Sequence, residues 1–356
     1  MPTHTKSEFD IIQQYFAPLS RISNPFGCAS SQNTTILMGD DGAVLHCPAD
    51  KQLVVASDTL IAGVHFPADM DPAAVGYRCL ATNVSDLAAM AAIPAWYSLC
   101  ITLPSYDSAW LKAFVAGLAK AGRLYHITLA GGDTTCGAQL TVSMQLLGFV
   151  DAGKALTRSG AQPGDLVYVT GTLGSAAAGL SVLLQNGHST GYLIDGMHEQ
   201  PQTYARLMQS LKQAFCYPQI HVNFAAALGG TAHSAIDLSD GFAADLQHIA
   251  RASRLKANIY LDAIPIEQNM PLYFTREQII QWALNGGDDY ALCFTISPSM
   301  QNKLEYLART CNVHITQVGE MVQRTASDKT GSAPITFWSA RNGQQLDYAV
   351  QGYQHF

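Results

Sequence analysis

A chain of 356 residues is long enough for two domains, and its 48% hydrophobic content supplies two ordinary cores. Only 13% of the residues are charged, the formal net charge is −7, and no basic run is long enough to follow a nucleic-acid backbone, so nucleic acid is excluded as the expected partner. The polar opening Met1–Asp10 carries no apolar secretory core, and no apolar run reaches the ~20 residues of a membrane span; a cytoplasmic protein without membrane contact is expected.

Taken in chain order, residues 52–56 read as a short buried strand ending at Ser57-Asp58. Asp71 caps a helix that opens on Pro72, and its apolar positions recur at helical spacing to about Ala92, with Asp86 late on that helix among Ala and Leu. A strand over 96–102, a helix over 107–122, a short strand over 127–130 and a long one over 140–150 complete a first half of about 150 residues. The polar, turn-rich stretch 157–165 is the best linker candidate. The second half restarts with a strand over 166–170 and a Gly/Ala-rich helix over 175–184, then a surface excursion over 185–202. Helices over 204–214, 222–228, 242–253 and 276–284 follow, with strands over 234–238, 259–262, 290–295 and 313–318. Both halves repeat a plan of strand, Asp knot, helix. The eight cysteines form no CxxC pair and read mostly as buried small apolar residues in a reducing compartment.

The chemistry concentrates in those acidic knots. They are Gly39-Asp40-Asp41, Ser57-Asp58-Thr59, Asn83-Val84-Ser85-Asp86, Gly131-Gly132-Asp133-Thr134-Thr135, Asp237-Leu238-Ser239-Asp240-Gly241 and Gly286-Gly287-Asp288-Asp289. A chain so sparing with charge has placed carboxylates in apolar or Gly-rich contexts, where they are costly unless a cation pairs with them. Lys and Arg are largely absent from the knots, so metal ions are expected. Hard oxygen ligands suit Mg²⁺, which takes one or two carboxylates together with substrate phosphates. Each knot also has a plainer reading. Asp240 serves equally as the cap of the helix near Phe242. Asp288-Asp289 fits a hairpin turn, though adjacent carboxylates repel without a cation or a proton. His65, alone in its loop, fits a structural role.

Gly148–Ala155 imitates a phosphate-binding loop, but Ala155 replaces the required Ser/Thr and no helix pattern begins there, so an ordinary turn is expected. Gly171-Thr172-Leu173-Gly174 opens the Ala-rich helix and offers a weak anion seat. No zinc-like spacing and no GxSxG elbow is present.

Taken together, the knots, the His65-Phe66 loop, Leu156-Thr157-Arg158-Ser159-Gly160 and the closing Gly352-Tyr353-Gln354-His355-Phe356 resemble the thiamine-monophosphate kinases, over almost the whole chain. These belong to a superfamily with aminoimidazole ribonucleotide synthetase and selenophosphate synthetase. The resemblance implies an α+β two-domain fold. An ATP- and Mg²⁺-binding, dimerising N-terminal domain over 1–152 forms a β-barrel-like core in the dimer, and a C-terminal α/β sandwich spans 153–356. The implied reaction is ATP-dependent phosphorylation of thiamine monophosphate to the diphosphate, with no covalent nucleophile.

Carried over residue by residue, Asp41, Ser57, Asp58, Asp86, Asp133, Asp237 and Asp240 resemble Mg²⁺ ligands. Tyr125, Gly132, Asp133, Arg158 and Ser239 resemble nucleotide contacts, and His65, Asp288 and Tyr353 resemble contacts to thiamine monophosphate. Two positions depart from the family. Asp288 stands where it has Glu, keeping the charge and losing reach. Cys136 stands where it commonly has Arg, which weakens a phosphate contact or leaves that role to Arg158. Within the superfamily, the alternatives call for a reactive N-terminal Cys and Lys or a C-terminal Cys; the Gly-rich segment and Lys are missing around Cys28, and the chain ends in His355-Phe356. A nonenzymatic nucleotide-binding protein on the same fold is the other-class alternative.

Overall fold

The computed structural model describes residues 7–23, 25, 37–184, 201–325, 334–350 and 352. Tyr353 and residues 185–200 of the expected excursion lie outside them. The chain divides into two compact units, Met1–Leu87 with Ala92–Gly153, and Ala88–Ala91 with Lys154–Phe356.

The first unit opens with the single helical turn α1 (Glu8–Ile11). It continues through β1 (Lys51–Ile61), α2 (Pro72–Ala89), β2 (Ile93–Leu103), α3 (Ser108–Tyr125), β3 (Thr128–Cys136) and β4 (Thr141–Asp151). Asp71 caps α2 through the Ala74 amide (2.9 Å), and Asp107 caps α3 through the Ala109 and Trp110 amides. The strands form one open sheet in the order β1-β4-β2-β3, so β1 and β3 are its two edges. Within one chain this sheet does not close into a barrel. One of its faces is packed with Met144, Leu99, Val142 and Leu146, all buried. On the other, Trp96 meets Phe149 edge-on, with ring centroids 5.8 Å apart. The helices α2 and α3 approach backbone to backbone: a Cβ on Gly76 would stand 2.1 Å from the Phe114 carbonyl, and one on Gly117 1.9 Å from that of Ala73. That contact fixes the helix bearing Asp86.

Two strands run further than their apolar cores suggest. The strand expected over 52–56 continues to Ile61, and the one expected over 127–130 continues to Cys136. Both acidic knots therefore lie inside strands. These are edge strands, which tolerate exposed polar residues because part of their surface faces water.

The second unit runs β5 (Leu166–Thr170), α4 (Ser175–Leu184), α5 (Pro201–Cys216), α6 (Val222–Leu228), β6 (Ser234–Asp237), α7 (Phe242–Ala252), β7 (Leu255–Tyr260), α8 (Arg276–Asn285), β8 (Leu292–Ile296), α9 (Gln301–Thr310), β9 (Ile315–Gln323), β10 (Ile335–Trp338) and β11 (Gln345–Leu346). Its mixed seven-stranded sheet has the order β11-β10-β7-β9-β5-β8-β6. Alternation along β5 serves both faces. Val167 and Val169 join Phe242, Leu246 and Ile249 of α7 and Leu284 of α8 in one core. Tyr168 points the other way, stacks on Phe294, and Phe294 meets Phe224 of α6. A sheet covered on both faces is the α/β sandwich the resemblance implies. The sequence reading missed α9, β10 and β11.

Candidate active site

In the first unit the candidate ligands come from four places. Asp41 is exposed in the approach to β1. Ser57 and Asp58 are exposed near the middle of β1, whose Thr59 shares a hydrogen bond with Ser143 of β4 (2.8 Å). Asp86 is the one position from Ala81 to Ala89 that is not buried, so along this stretch α2 exposes part of one carboxylate. Asp133 is exposed on β3, paired with Cys100 of β2.

Gly132 beside it has φ +155°, and a Cβ there would lie 1.8 Å from the Leu99 carbonyl oxygen. Only glycine lets β3 run this close to β2, and the following residue is thereby held at the sheet edge. Asp58 and Asp133 stand on opposite edges of a four-stranded sheet. Three inter-strand spacings separate them, roughly 14 Å, too far for one ion to join both within a chain.

His65 sits in a tight turn closing β1. Its Nδ1 accepts the Ile61 N–H (3.0 Å), and its own N–H bonds the Ile61 carbonyl (2.9 Å). The first bond fixes the tautomer: the proton resides on Nε2, which remains the ring's donor. Tyr125 ends α3 in the core, and its hydroxyl meets that of Tyr77 at 3.1 Å.

In the second unit, β6 ends at Asp237, which is 7% exposed. The turn Leu238-Ser239-Asp240-Gly241 then leads into α7. Asp240 does not cap that helix: the N-cap is Gly241, with no side-chain bond. Instead the Asp240 amide donates to Asp245 Oδ2 (3.0 Å). Asp245 is 3% exposed and lies in the apolar stripe of α7 between Phe242 and Ile249. Burial, then the charges of Asp240 and Asp237, pushes its carboxyl up to about 8, against the pull of the Asp240 and Ser239 amides. Sequence reasoning missed Asp245. Its signal was a carboxylate at a helical position that periodicity assigns to the core.

The Gly286–Tyr290 segment lies alongside this turn. The Asp288 amide bonds the Ser239 carbonyl (2.9 Å), Tyr290 N–H the Leu238 carbonyl (2.8 Å), and Leu238 N–H the Ala291 carbonyl (2.9 Å). Asp237, Ser239, Asp240, Asp245 and Asp288 thus share one neighbourhood. Gly352, the last described residue, reaches it too, since a Cβ there would stand 3.6 Å from the Asp240 carbonyl oxygen. Arg158 is exposed and stands near α7: burial first, then the charges of Arg158 and Arg251, draws His248 below its usual range, while Asp240 opposes.

The adjacent carboxylates Asp288 and Asp289 part company. Asp289 turns inward and accepts the amides of Gly174 (2.7 Å) and Ala176 (3.2 Å) at the start of α4. The anion seat offered by residues 171–174 is therefore filled by the protein's own carboxylate. In the Gly148–Ala155 stretch, Gly148 lies within β4 and no helix follows Lys154, as expected of an ordinary turn.

Among the described residues, no three His, Cys, Asp or Glu side chains form a ready metal cage. The donor chemistry nevertheless suits Mg²⁺, which needs few carboxylates when phosphates and water complete its shell. Three carboxylates crowded at the end of β6, one with its proton affinity raised by burial and then by the charges of the others, are an environment a cation relieves.

The chain matches two family models: AIR synthase related protein, N-terminal domain, over residues 39–150, and AIR synthase related protein, C-terminal domain, over 162–329. It is 39% identical over 354 residues to the thiamine-monophosphate kinase of Escherichia coli (strain K12), covering 98% of both chains. Among solved structures it is similar to thiamine-monophosphate kinase from Stenotrophomonas maltophilia K279a, with a TM-score of 0.76 and 35% identity over 89% of this chain and 93% of that one. It is also similar to AaThiL complexed with AMPPCP and TMP, with a TM-score of 0.70 and 27% identity over 90% and 92%.

Proposed function

The chain belongs to the thiamine-monophosphate kinases, and we propose that it makes thiamine diphosphate by direct in-line transfer of the γ-phosphoryl group of ATP to the phosphate of thiamine monophosphate. The observation that carries this reading is likeness over 98% of both chains to a kinase of that name, with a likeness to a structure holding AMPPCP and TMP beside it.

The acceptor is an ionised phosphate oxygen, so no strong base is needed. The barrier is repulsion between anions, which makes positioning and electrostatics the catalytic task. Asp41, Ser57, Asp58, Asp86, Asp133, Asp237 and Asp240 are proposed to hold Mg²⁺. When bound, the ions would neutralise and align the phosphates. Arg158 and Ser239 in the second unit, and Tyr125, Gly132 and Asp133 in the first, are each proposed as nucleotide contacts. His65 would offer its Nε2–H, and Asp288 its carboxylate, to thiamine monophosphate, with Tyr353 completing that set.

A homodimer through the first unit's sheet is part of the proposal. The edge strand β1 carries two half-exposed apolar residues, Leu53 and Val55. A second copy joining β1 to its own β3 edge would turn two open sheets into a barrel-like core and bring Asp58 of one chain towards Asp133 of the partner. A cytoplasmic location is also proposed: none of the seven described cysteines is in a disulfide, and no described helix is long and apolar enough to cross a membrane.

The test is turnover by purified protein with ATP and Mg²⁺, with and without thiamine monophosphate. Thiamine diphosphate should form only when all are present. ATP consumption that is indifferent to thiamine monophosphate, or transfer to another acceptor alone, overturns the reading.

A further inference from the structure

The segment Gly287–Tyr290 has a backbone its sequence does not favour. Gly287, Asp288 and Tyr290 have φ of +68°, +64° and +48°, three left-handed residues in four, two of them with side chains. Such a conformation persists only where surrounding contacts over-determine it. On one side the contacts are the two amide bonds from Asp288 and Tyr290 to the Ser239–Leu238 backbone. Gly287 fits there because it has no side chain, since a Cβ would lie 2.6 Å from the Ser239 carbonyl oxygen.

On the other side the anchor is Asp289. One carboxylate oxygen takes the Gly174 amide at 2.7 Å and the other the Ala176 amide at 3.2 Å. These amides are unsatisfied donors at the positive end of α4, so the acceptor suits them in charge as well as geometry. The bonds span 115 and 113 residues of sequence, so they tie two distant segments and are not a local helix cap. Burial pushes the Asp289 carboxyl up to about 7 despite both N–H bonds, and the charge of Asp288 adds to that. The carboxylate held this way belongs to the residue between left-handed Asp288 and Tyr290, so its two bonds tie that turn to the start of α4.

We propose that Asp289 is a positioning residue: by clamping its carboxylate onto the Gly174 and Ala176 amides it holds the left-handed turn that presents Asp288 to the substrate. This rests on the reading of Asp288 as a contact to thiamine monophosphate. Both Asp289 carboxylate oxygens are engaged by those amides, so it acts through the turn it holds. An Asn at this position keeps one acceptor but turns an NH₂ towards the second amide, so one bond is lost and the turn is released on that side.

The experiment compares Asp289→Asn and Asp289→Ala with the parent, as full-length protein. Hydrogen exchange should accelerate together in peptides covering 172–178 and 286–291. KM for thiamine monophosphate should rise on the order of tenfold, with KM for ATP within about twofold. Ile249→Ala, a cavity in the core of the same unit, controls for lost stability and should leave KM for thiamine monophosphate unchanged. Acceleration at 172–178 alone, an unchanged KM in Asp289→Asn, or an equal rise in Ile249→Ala would each overturn the proposal. If the parent does not phosphorylate thiamine monophosphate, the functional reading fails instead, and coupled exchange of the two peptides still decides whether the clamp exists.

Discussion

Gly131 and Gly132 are adjacent, chemically identical and placed beside a proposed metal ligand, yet the structure gives them opposite tolerances. A Cβ on Gly131 meets nothing within 4 Å, whereas one on Gly132 lands 1.8 Å from the Leu99 carbonyl oxygen and 2.7 Å from its carbon. To reach the 3.4 Å of an ordinary contact, β3 must move away from β2 by roughly 1.6 Å, an overpacking strain worth about 1–3 kcal/mol. An alanine at φ +155° adds about 1–3 kcal/mol of backbone strain. The sum, roughly 2–6 kcal/mol, is a large part of the ~5–15 kcal/mol that holds a typical domain. Gly132→Ala should therefore lower the unfolding midpoint of the first unit by about 4–24 °C, while Gly131→Ala stays within about 0.5 kcal/mol of the parent. Thermal and urea unfolding followed by circular dichroism and tryptophan fluorescence, where Trp96 is buried in that unit, measures both. Equal midpoints for the two variants would refute the argument that β3 packs on β2 through a bare backbone at Gly132.

Asp58→Asn should cut kcat on the order of 10²-fold or more, through lost transition-state stabilisation, with little change in midpoint because the residue is exposed; near-parental rates at saturating Mg²⁺ would exclude it as a ligand. Mixing inactive Asp58→Asn with inactive Asp133→Asn should restore about one quarter of parental activity by random pairing of subunits, and no recovery after subunit exchange would place both residues in a one-chain site. Truncating Asp288 to Ala should raise KM for thiamine monophosphate more than it lowers kcat, and Asp288→Glu should be tolerated; steady-state constants that move together would end its role in recognition. Mg²⁺ should stabilise the free enzyme by about 2.7 kcal/mol at one hundred times its dissociation constant, read as a raised thermal midpoint, and Asp245→Asn should shrink that gain; an unchanged gain would remove Asp245 from the cation's surroundings.

What was legible beforehand was whatever lies within a few residues along the chain. Asp71-Pro72 marks the start of α2 because a cap and a proline act on their own helix turn. Strand ends were harder. Ser57-Asp58-Thr59 and Gly131–Cys136 look like loops, yet an edge strand can carry such residues because its exposed side makes no demand for apolar ones. The cap role open to Asp240 fails on a detail no composition reveals, the amide bond from Asp240 to Asp245. Asp245 is disguised by a helical stripe, and the partners of Asp289 lie more than a hundred residues upstream. The left-handed turn at Asp288 and Tyr290 is equally hidden, since neither residue is the glycine such a backbone normally announces.

The pairing of β1 with β4 has a consequence for how the protein is made. The register runs from Lys51 opposite Asp151 to Ile61 opposite Thr141, so the strand bearing Asp58 finds its first partner only 80 to 100 residues later. Contacts so distant in sequence are slow to form, because the loop between them must be closed before pairing rewards it. During synthesis β1 must wait, with Leu53 and Val55 uncovered, until β4 has emerged, while α2, β2, α3 and β3 can already assemble. The nascent chain thus passes through a stage in which the Asp58 strand is the last part of its sheet to dock. Any truncation ending before about residue 150 leaves it permanently without a place.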